Sequence, residues 1–312
     1  MVVALASIAI GAKQLSIGEV WHGLFEASGT YGDVVVDDRI SRTALGLLAG
    51  AALGLAGAVL QALTRNPLAD PGLLGINAGA SAAVVTAITF LGVTSLSSYV
   101  WFAFFGAAAV GAMVWFLGGS RGATPVRLAL AGTAISAALY GYLQAVMIMD
   151  DAALNKMRFW TVGSLSSATD ATITQVLPFL LAGTVLALAL ARPLNAMEMG
   201  DDTAKALGAH LNRTRVLAML AATVLCGAAT AACGPIVFVG LMVPHVVRSF
   251  TGPDLRWILP YAAVLSPVLL LGADVLGRIV ARPAELQVGI VTAVIGGPVF
   301  IFLVRRRRTA QL

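Results

Sequence analysis

Residues 42–64 read RTALGLLAGAALGLAGAVLQALT, a continuous apolar run in which Gly46, Gly50, Gly54 and Gly57 recur among alanines. Its length matches the ~20 helical residues that are needed to cross a bilayer. Small residues at this spacing let a second helix approach closely, which is how helices associate in lipid without a hydrophobic driving force. The stretch therefore predicts a transmembrane helix in a tightly packed bundle.

The same composition extends over the whole chain. Of 312 residues, 59% are hydrophobic and only 11% are charged, whereas soluble proteins carry about 25% charged residues. Lipid permits helix bundles or closed barrels, and a barrel would show ~10-residue segments of alternating polarity. The runs here are continuous, so we predict an all-α polytopic bundle forming a single domain over residues 1–312. The candidate spans, about ten, are 1–12, 42–64, 73–92, 97–117, 126–149, 172–191, 214–233, 236–250, 258–281 and 286–304.

The placement of charge predicts the orientation of these spans. With the N-terminus inside, 13 of the 20 lysines and arginines fall in cytoplasmic segments and seven fall outside, beside nine acidic residues. Because positive charge concentrates in cytoplasmic loops, we expect both termini in the cytoplasm. The run Arg305–Arg308 is then typical of an anchor at the lipid surface, and nucleic acid is not an expected partner.

Two segments depart from a straight apolar helix. From Gln61 to Gly75 the chain reads QALTRNPLADPGLLG, with two prolines and several loop-forming residues, which predicts a structured turn. The eighth span is short and contains Pro244, so we expect it to be distorted.

A polar stripe runs along the fifth span. Gly132, Ser136, Tyr140 and Gln144 are spaced four apart and share one helix face. Polar residues on a membrane helix face protein or water and not lipid. The stripe therefore indicates either hydrogen bonds between helices or the lining of a conduit.

Two charges of opposite sign lie inside the ninth span. Asp274 and Arg278 are four residues apart with the acid first, which is the favourable order for a helical pair. An isolated charge is expensive within a membrane, so an ion pair is the simplest interpretation. In the eighth span, His245 follows Pro244 near the cytoplasmic end. It has no second ligand at a suitable spacing, and we expect no metal site there.

The longest cytoplasmic segment covers residues 192–215. Asp201 or Asp202 can cap a short helix and Gly208 can end it. Ala204 and Leu207 would share one side of that helix, which suits docking into a groove on a soluble partner. The alternative is that the segment is only a connector.

The sequence contains no sign of bond-making chemistry. A phosphate-binding glycine loop, a nucleophile elbow and a zinc-ligand cluster are all missing from it. Cys226 and Cys233 lie on one face of one helix, where no disulfide can form between them. We therefore predict that the chain is not an enzyme, binds no cofactor itself, and uses energy supplied by another protein.

Several of these motifs together resemble the FecCD family, the permease subunits of bacterial ABC importers for iron–siderophore complexes, haem and cobalamin. The resemblance covers nearly the whole chain from Arg39 on and leaves residues 1–38 poorly placed. The matching segments are RISR at 39–42, 61–75, 79–80, WTVGSL at 160–165, 194–208, 233–248, 273–278 and 289–300.

The resemblance implies a ten-helix subunit in the cytoplasmic (inner) membrane, paired with a second permease subunit around a central path. Two cytoplasmic ATPase subunits, which use ATP and Mg, would grip a coupling segment at 195–208, and a substrate-binding protein would dock at the outer face. The residues assigned to coupling are Asn195, Gly200, Asp201, Ala204, Leu207 and Gly208. Those assigned to docking are Arg39, Arg42 and Arg278, and those assigned to the path are Gln61, Gly132, Ser136, Tyr140 and Gln144.

The docking role of Arg278 and its pairing with Asp274 are compatible if the arginine still reaches the surface, since long basic side chains snorkel. Iron(III)–siderophore complexes are the expected cargo, with haem and cobalamin as alternatives. A different class of protein, an ion-coupled secondary transporter, would require more membrane carboxylates and inverted repeats.

Overall fold

The structure, a computed structural model, describes residues 1–26, 29–119, 125–206, 208 and 210–309. Within those residues the regular secondary structure is helical, as the sequence predicts, and there is no strand. The helices are α1 (Val2–Ala9), α2 (Ile17–Phe25), α3 (Tyr31–Thr64), α4 (Ile76–Leu91), α5 (Leu96–Gly119), α6 (Pro125–Met149), α7 (Asp151–Trp160), α8 (Asp170–Ala189), α9 (Ala191–Glu198), α10 (Asp201–Ala206), α11 (Leu211–Cys233), α12 (Val239–Thr251), α13 (Leu255–Val280) and α14 (Val288–Thr309).

Not every helix is long enough to cross a membrane. Among the described residues, six helices have the required length and composition: α3, α5, α6, α8, α11 and α13. Two shorter apolar helices, α4 and the Val288–Phe302 part of α14, accompany them. The chain is therefore an integral membrane protein built as a helical bundle.

The longest helix, α3, is also the most central. It packs against α13, α11 and α12, and most of its residues from Leu45 to Leu63 are buried. Its first turn begins earlier than predicted, at Tyr31 and not at residue 42, because Thr30 and Asp33 form a reciprocal capping box. With 34 residues, it extends for about 51 Å.

The glycines of α3 allow the close packing that the sequence predicts. A Cβ atom on Gly50 would lie 2.7 Å from the Cα of Pro267 in α13. A Cβ atom on Gly57 would lie only 1.8 Å from the carbonyl oxygen of Gly240 in α12. Only glycine permits both approaches, so α3 and its neighbours meet backbone to backbone.

The structured turn after Gln61 is confirmed. Arg65 ends α3 in the left-handed conformation, with φ +49°. The Asp70 side chain then accepts a hydrogen bond from the Gly72 amide and caps a 3₁₀-helix over Pro71–Leu74. Gly75, with φ +74°, redirects the chain into α4.

Outside the 195–208 segment, two further short helices were not predicted. The first is α2, which begins with a capping box between Ser16 and Glu19, and the second is α7, whose start is capped by Asp150. Both are too short to span a bilayer, so a search for long apolar runs passes over them. The predicted span 1–12 contains α1, which has only eight residues.

The eighth predicted span, which contains Pro244, is a short helix. The helix α12 has only 13 residues and carries Pro244 in its interior. It begins after Phe238, a non-glycine residue with φ +70°.

Candidate functional site

The predicted coupling segment consists of two helices and not one. Gly200, with φ +105°, separates α9 from α10, because this backbone conformation is unfavourable for residues with a Cβ atom. Gly208 also has a positive φ, +79°, consistent with its predicted role at the end of the short helix. Leu207 lies outside the described residues.

Asn195 attaches α9 to the beginning of α13. Its side-chain Nδ2 donates to Asp254 Oδ1 at 2.6 Å, and its Oδ1 accepts from the Leu255 amide at 2.9 Å. Asn195 thus satisfies one of the amides that a helix start leaves without a helical partner. These two hydrogen bonds connect α9 directly to the start of α13.

Asp201 attaches α10 to two further helices. Its Oδ1 accepts a hydrogen bond from Arg65, at the end of α3, and its Oδ2 accepts from Arg215 Nη2 in α11 at 2.7 Å. Burial raises the pKa of Asp201, but the two guanidinium groups lower it, and the net pKa lies below its usual value. A weaker contact of 3.7 Å joins Glu198 to Arg248 in α12.

The structure corrects the predicted docking face of this segment. Ala204 is fully buried, since α10 packs on α9 and α11, and it cannot enter a groove on another protein. The exposed side of the segment instead presents Met199, Asp202, Thr203 and Lys205. The sequence periodicity identified the apolar side of the short helix, but it could not show that other helices of the same chain bury that side.

At the opposite end of α3, a buried ion cluster joins α3 to α13. Arg278 Nη2 contacts Asp274 Oδ2 at 2.5 Å, so the predicted pair is confirmed. Arg42 also donates two hydrogen bonds to Asp274, of 2.6 and 3.1 Å, and its Nη1 contacts Glu285 at 2.7 Å. The carboxylate of Asp274 therefore lies between two guanidinium groups.

Arg39 and Arg278 both bind the end of α1. Arg39 donates to the carbonyls of Ile8, Ala9 and Lys13, and Arg278 donates to those of Ser7 and Ile10. These hydrogen bonds satisfy backbone carbonyl groups that have no donor within the helix because they lie at its end. Both side chains are buried, so the condition under which Arg278 could combine docking with its pairing to Asp274, namely that it reaches the surface, is not met in this structure.

The polar stripe of α6 has two different environments. Gly132 is buried, and Ser136 Oγ donates to its carbonyl at 2.7 Å where α6 packs beside Gly75. Tyr140 and Gln144 are exposed. The first half of the stripe therefore serves helix packing, and only the second half faces outward.

Gln61 is placed differently from the exposed half of the stripe. It is fully buried, and its Nε2 donates to the carbonyls of Gly240 and Leu241 at 3.3 and 3.1 Å. In this conformation it joins α3 to α12 and does not line an open conduit.

Among the described residues, no cluster of potential metal ligands occurs. Cys226 and Cys233 are buried free thiols.

A sequence model of the FecCD transport family matches residues 1–306. The chain belongs to this family. The match begins at residue 1, so the family resemblance extends over the first 38 residues, which sequence inspection left poorly placed.

Family members of known name match almost end to end. The ferric enterobactin transport system permease protein FepD of Escherichia coli is 47% identical, over 98% of this chain and 93% of that protein. The hemin transport system permease protein HmuU of Yersinia pestis is 37% identical, over 99% of this chain and 93% of that protein.

One solved structure has the same fold as this chain. It is an inward-facing conformation of a metal-chelate type ABC transporter, with a TM-score of 0.85 and 27% identity. The likeness covers 97% of this chain and 95% of the other.

Proposed function

We propose that this chain is the permease subunit of an ATP-driven ABC importer that carries iron(III)–siderophore complexes across the bacterial cytoplasmic membrane. The observation that carries the proposal is the near full-length match to family members, above all the ferric enterobactin permease at 47% identity. Haem and cobalamin are the alternative cargoes, and the hemin permease at 37% identity supports the first of them.

Ten membrane crossings follow if four helices do not cross. In this arrangement α2, α7, α9 and α10 lie at the membrane surfaces, and the other ten helices span. The shortest spanning helices, α1 and α12, would reach the full thickness together with their flanking segments, which are packed against protein and not lipid. The distribution of lysine and arginine supports two cytoplasmic termini.

The coupling segment receives the motion of two ATPase subunits, which bind and hydrolyse ATP with Mg. Asn195 and Asp201 connect it to α13, α3 and α11. A push on α9 and α10 is therefore distributed to several spanning helices at once, which suits rigid-body switching between inward- and outward-open states. Gly200 and Gly208 act as the hinges of the segment.

The cargo path lies between this chain and a second permease subunit. Tyr140 and Gln144 provide its lining, whereas Gly132, Ser136 and Gln61 support the lining helices from behind. Polar but uncharged side chains suit a bulky hydrophilic chelate that must not be held tightly.

At the outer face, a substrate-binding protein docks near the arginine cluster. Of the three predicted arginines, Arg42 is the best placed, because its partner Glu285 is partly exposed. An acidic side chain of the binding protein could replace Glu285 there. Arg39 and Arg278 would support this site through the end of α1.

The competing function, ion-coupled secondary transport, is disfavoured by the state of Asp274. An ion-coupling carboxylate must exchange its ion during transport. Asp274 instead lies between Arg42 and Arg278, and both of its oxygens are occupied by guanidinium hydrogen bonds.

The decisive experiment is reconstitution of the chain with its co-purifying ATPase subunits and binding protein in proteoliposomes. We expect vanadate-sensitive uptake of ferric enterobactin and stimulation of ATP hydrolysis by the loaded binding protein. If ATP hydrolysis is stimulated only when the binding protein carries hemin or cobalamin, that compound is the cargo. Uptake that persists without ATPase subunits would exclude the importer.

A further inference from the structure

A groove of about 490 Å³ lies where the end of α8 and the start of α9 meet the start of α11. We call it the cationic groove. Its apolar floor is made by side chains of α8 and α11, and its rim carries basic side chains from both sides. The residues that matter here are Leu186, Leu190, Arg192, His210, Arg213 and Leu217.

The charges at this groove are unbalanced. No acidic residue lines it, and in the part of the chain that the structure describes neither Arg192 nor Arg213 has a carboxylate within ion-pair distance. Four other arginines at the same end of the bundle each contact a carboxylate, namely Arg65, Arg215, Arg248 and Arg256. The two groove arginines are thus free to bind an anion.

The position of the groove identifies the kind of anion. The helices α8 and α11 are both long and apolar enough to span a membrane, and the groove lies at the ends of the two helices that share one membrane face. Exposed apolar side chains continue from it along both helices, including Val185, Leu188, Val216 and Leu220. The groove therefore opens onto the lipid-facing surface at the height of the headgroups.

We propose that the cationic groove binds one anionic phospholipid. Arg192 and Arg213 hold its phosphate, and an acyl chain lies along Leu186 and Leu217 toward the apolar surface of α8 and α11. Basic pockets between membrane helices bind anionic headgroups in this way. A free inorganic anion would use the arginines but leave the apolar floor uncovered.

The groove also lies beside the coupling segment. The groove is bordered by Arg192 and Ala196 of α9 and by Gly208, which belong to or adjoin the coupling segment. A bound lipid would therefore steady the segment against α8 and α11. This inference concerns lipid binding alone and holds for any cargo.

Native mass spectrometry of the purified full chain tests the proposal. Dioleoylphosphatidylglycerol is titrated against dioleoylphosphatidylcholine, which has the same acyl chains and no net charge. We expect one phosphatidylglycerol molecule to be retained preferentially. The double variant Arg192→Gln/Arg213→Gln should weaken its binding by roughly 25-fold, at roughly fivefold for each arginine near the headgroups.

Two controls separate this site from general attraction to lipid. The double variant Lys205→Gln/Arg256→Gln removes the same charge at exposed positions of the same end, outside the groove, and should leave binding unchanged. Ala189→Phe fills part of the groove without changing charge and should also weaken binding. Equal losses in both charge variants would overturn the proposal, as would glycerol phosphate competing as well as the lipid.

Discussion

The two ends of α3 carry the same chemical arrangement in different surroundings. At one end Asp274 lies between Arg42 and Arg278, and the three side chains are 0%, 11% and 1% exposed. At the other end Asp201 lies between Arg65 and Arg215, which are 39%, 38% and 18% exposed. Each cluster is one carboxylate held by two guanidinium groups from different helices.

Burial decides what each cluster can do. A buried ion pair that loses one partner leaves an uncompensated charge and costs about 3–5 kcal/mol. An exposed pair contributes about 0.2–1 kcal/mol and is screened by salt. The Asp274 cluster therefore fixes α1, α3 and α13 in place, whereas the Asp201 cluster can form and break while the protein works.

The largest expected effect comes from Asp274→Asn, which leaves Arg278 buried without a counter-charge and Arg42 with the partly exposed Glu285 as its remaining carboxylate partner. We expect the free energy of unfolding to fall by about 3–5 kcal/mol. The measurement is thermal unfolding of the purified protein in detergent, together with its yield in membranes. Asp38→Asn, the same change at an exposed position near the start of α3, should shift stability by less than about 0.5 kcal/mol. Equal shifts in the two variants would remove the distinction between the clusters.

The second effect concerns the helix that joins the two clusters. In Gly57→Ala the new Cβ would overlap the carbonyl of Gly240, so α3 and α12 must move apart, at a cost of about 1–3 kcal/mol. The measurement is again thermal unfolding. Gly141→Ala is the matched control, because a Cβ there meets nothing within 4 Å. If Gly57→Ala is as stable as the control, the backbone contact between α3 and α12 does not contribute to the stability of the protein.

The sequence could predict the ion pairs of these clusters only where the two partners lie close together along the chain. The pair Asp274–Arg278 was predictable, because the two residues are one helical turn apart. Arg42 contacts the same carboxylate from 232 residues away, and Arg65 reaches Asp201 across 136 residues. No local pattern indicates such partners, so both clusters were incomplete in the sequence interpretation.

Other features were visible in the sequence in different degrees. The small-residue spacing of residues 46–57 predicted close packing correctly, because it reflects a local steric requirement. The capping signal of α2, Ser16 with Glu19, is present in the sequence. It was missed because the sequence was searched for apolar runs long enough to span a bilayer. The burial of Ala204 could not be predicted, since it depends on how α10 packs against α9 and α11.

The third effect separates stability from coupling. Asp201→Asn should lower the free energy of unfolding by less than about 1 kcal/mol, because the carboxylate is well exposed. If the segment transmits ATPase motion, the amount of cargo moved per ATP should nevertheless fall by about 2- to 30-fold. Both are measured on the reconstituted complex, with Asp38→Asn, at an exposed aspartate outside the coupling segment, as control. An unchanged transport ratio would show that this cluster does not transmit the motion.

The smallest effect comes from Asp70, which lies at the same end of α3 as the Asp201 cluster. Among the described residues, no guanidinium group lies within ion-pair distance of Asp70. Asp70 caps the 3₁₀-helix beside a cavity lined by Leu60, Leu74 and Thr133, and burial raises its pKa to about 6. The folded protein therefore holds this proton more tightly than the unfolded chain, in which the pKa is near 3.8. Stability should fall as the pH rises from about 4 to about 6, opposite in sign to Asp201, whose pKa is lowered. Thermal unfolding across this pH range should show a flatter profile in Asp70→Asn than in the unmodified protein. Identical profiles would mean that the pKa of Asp70 is the same in the folded protein as in the unfolded chain.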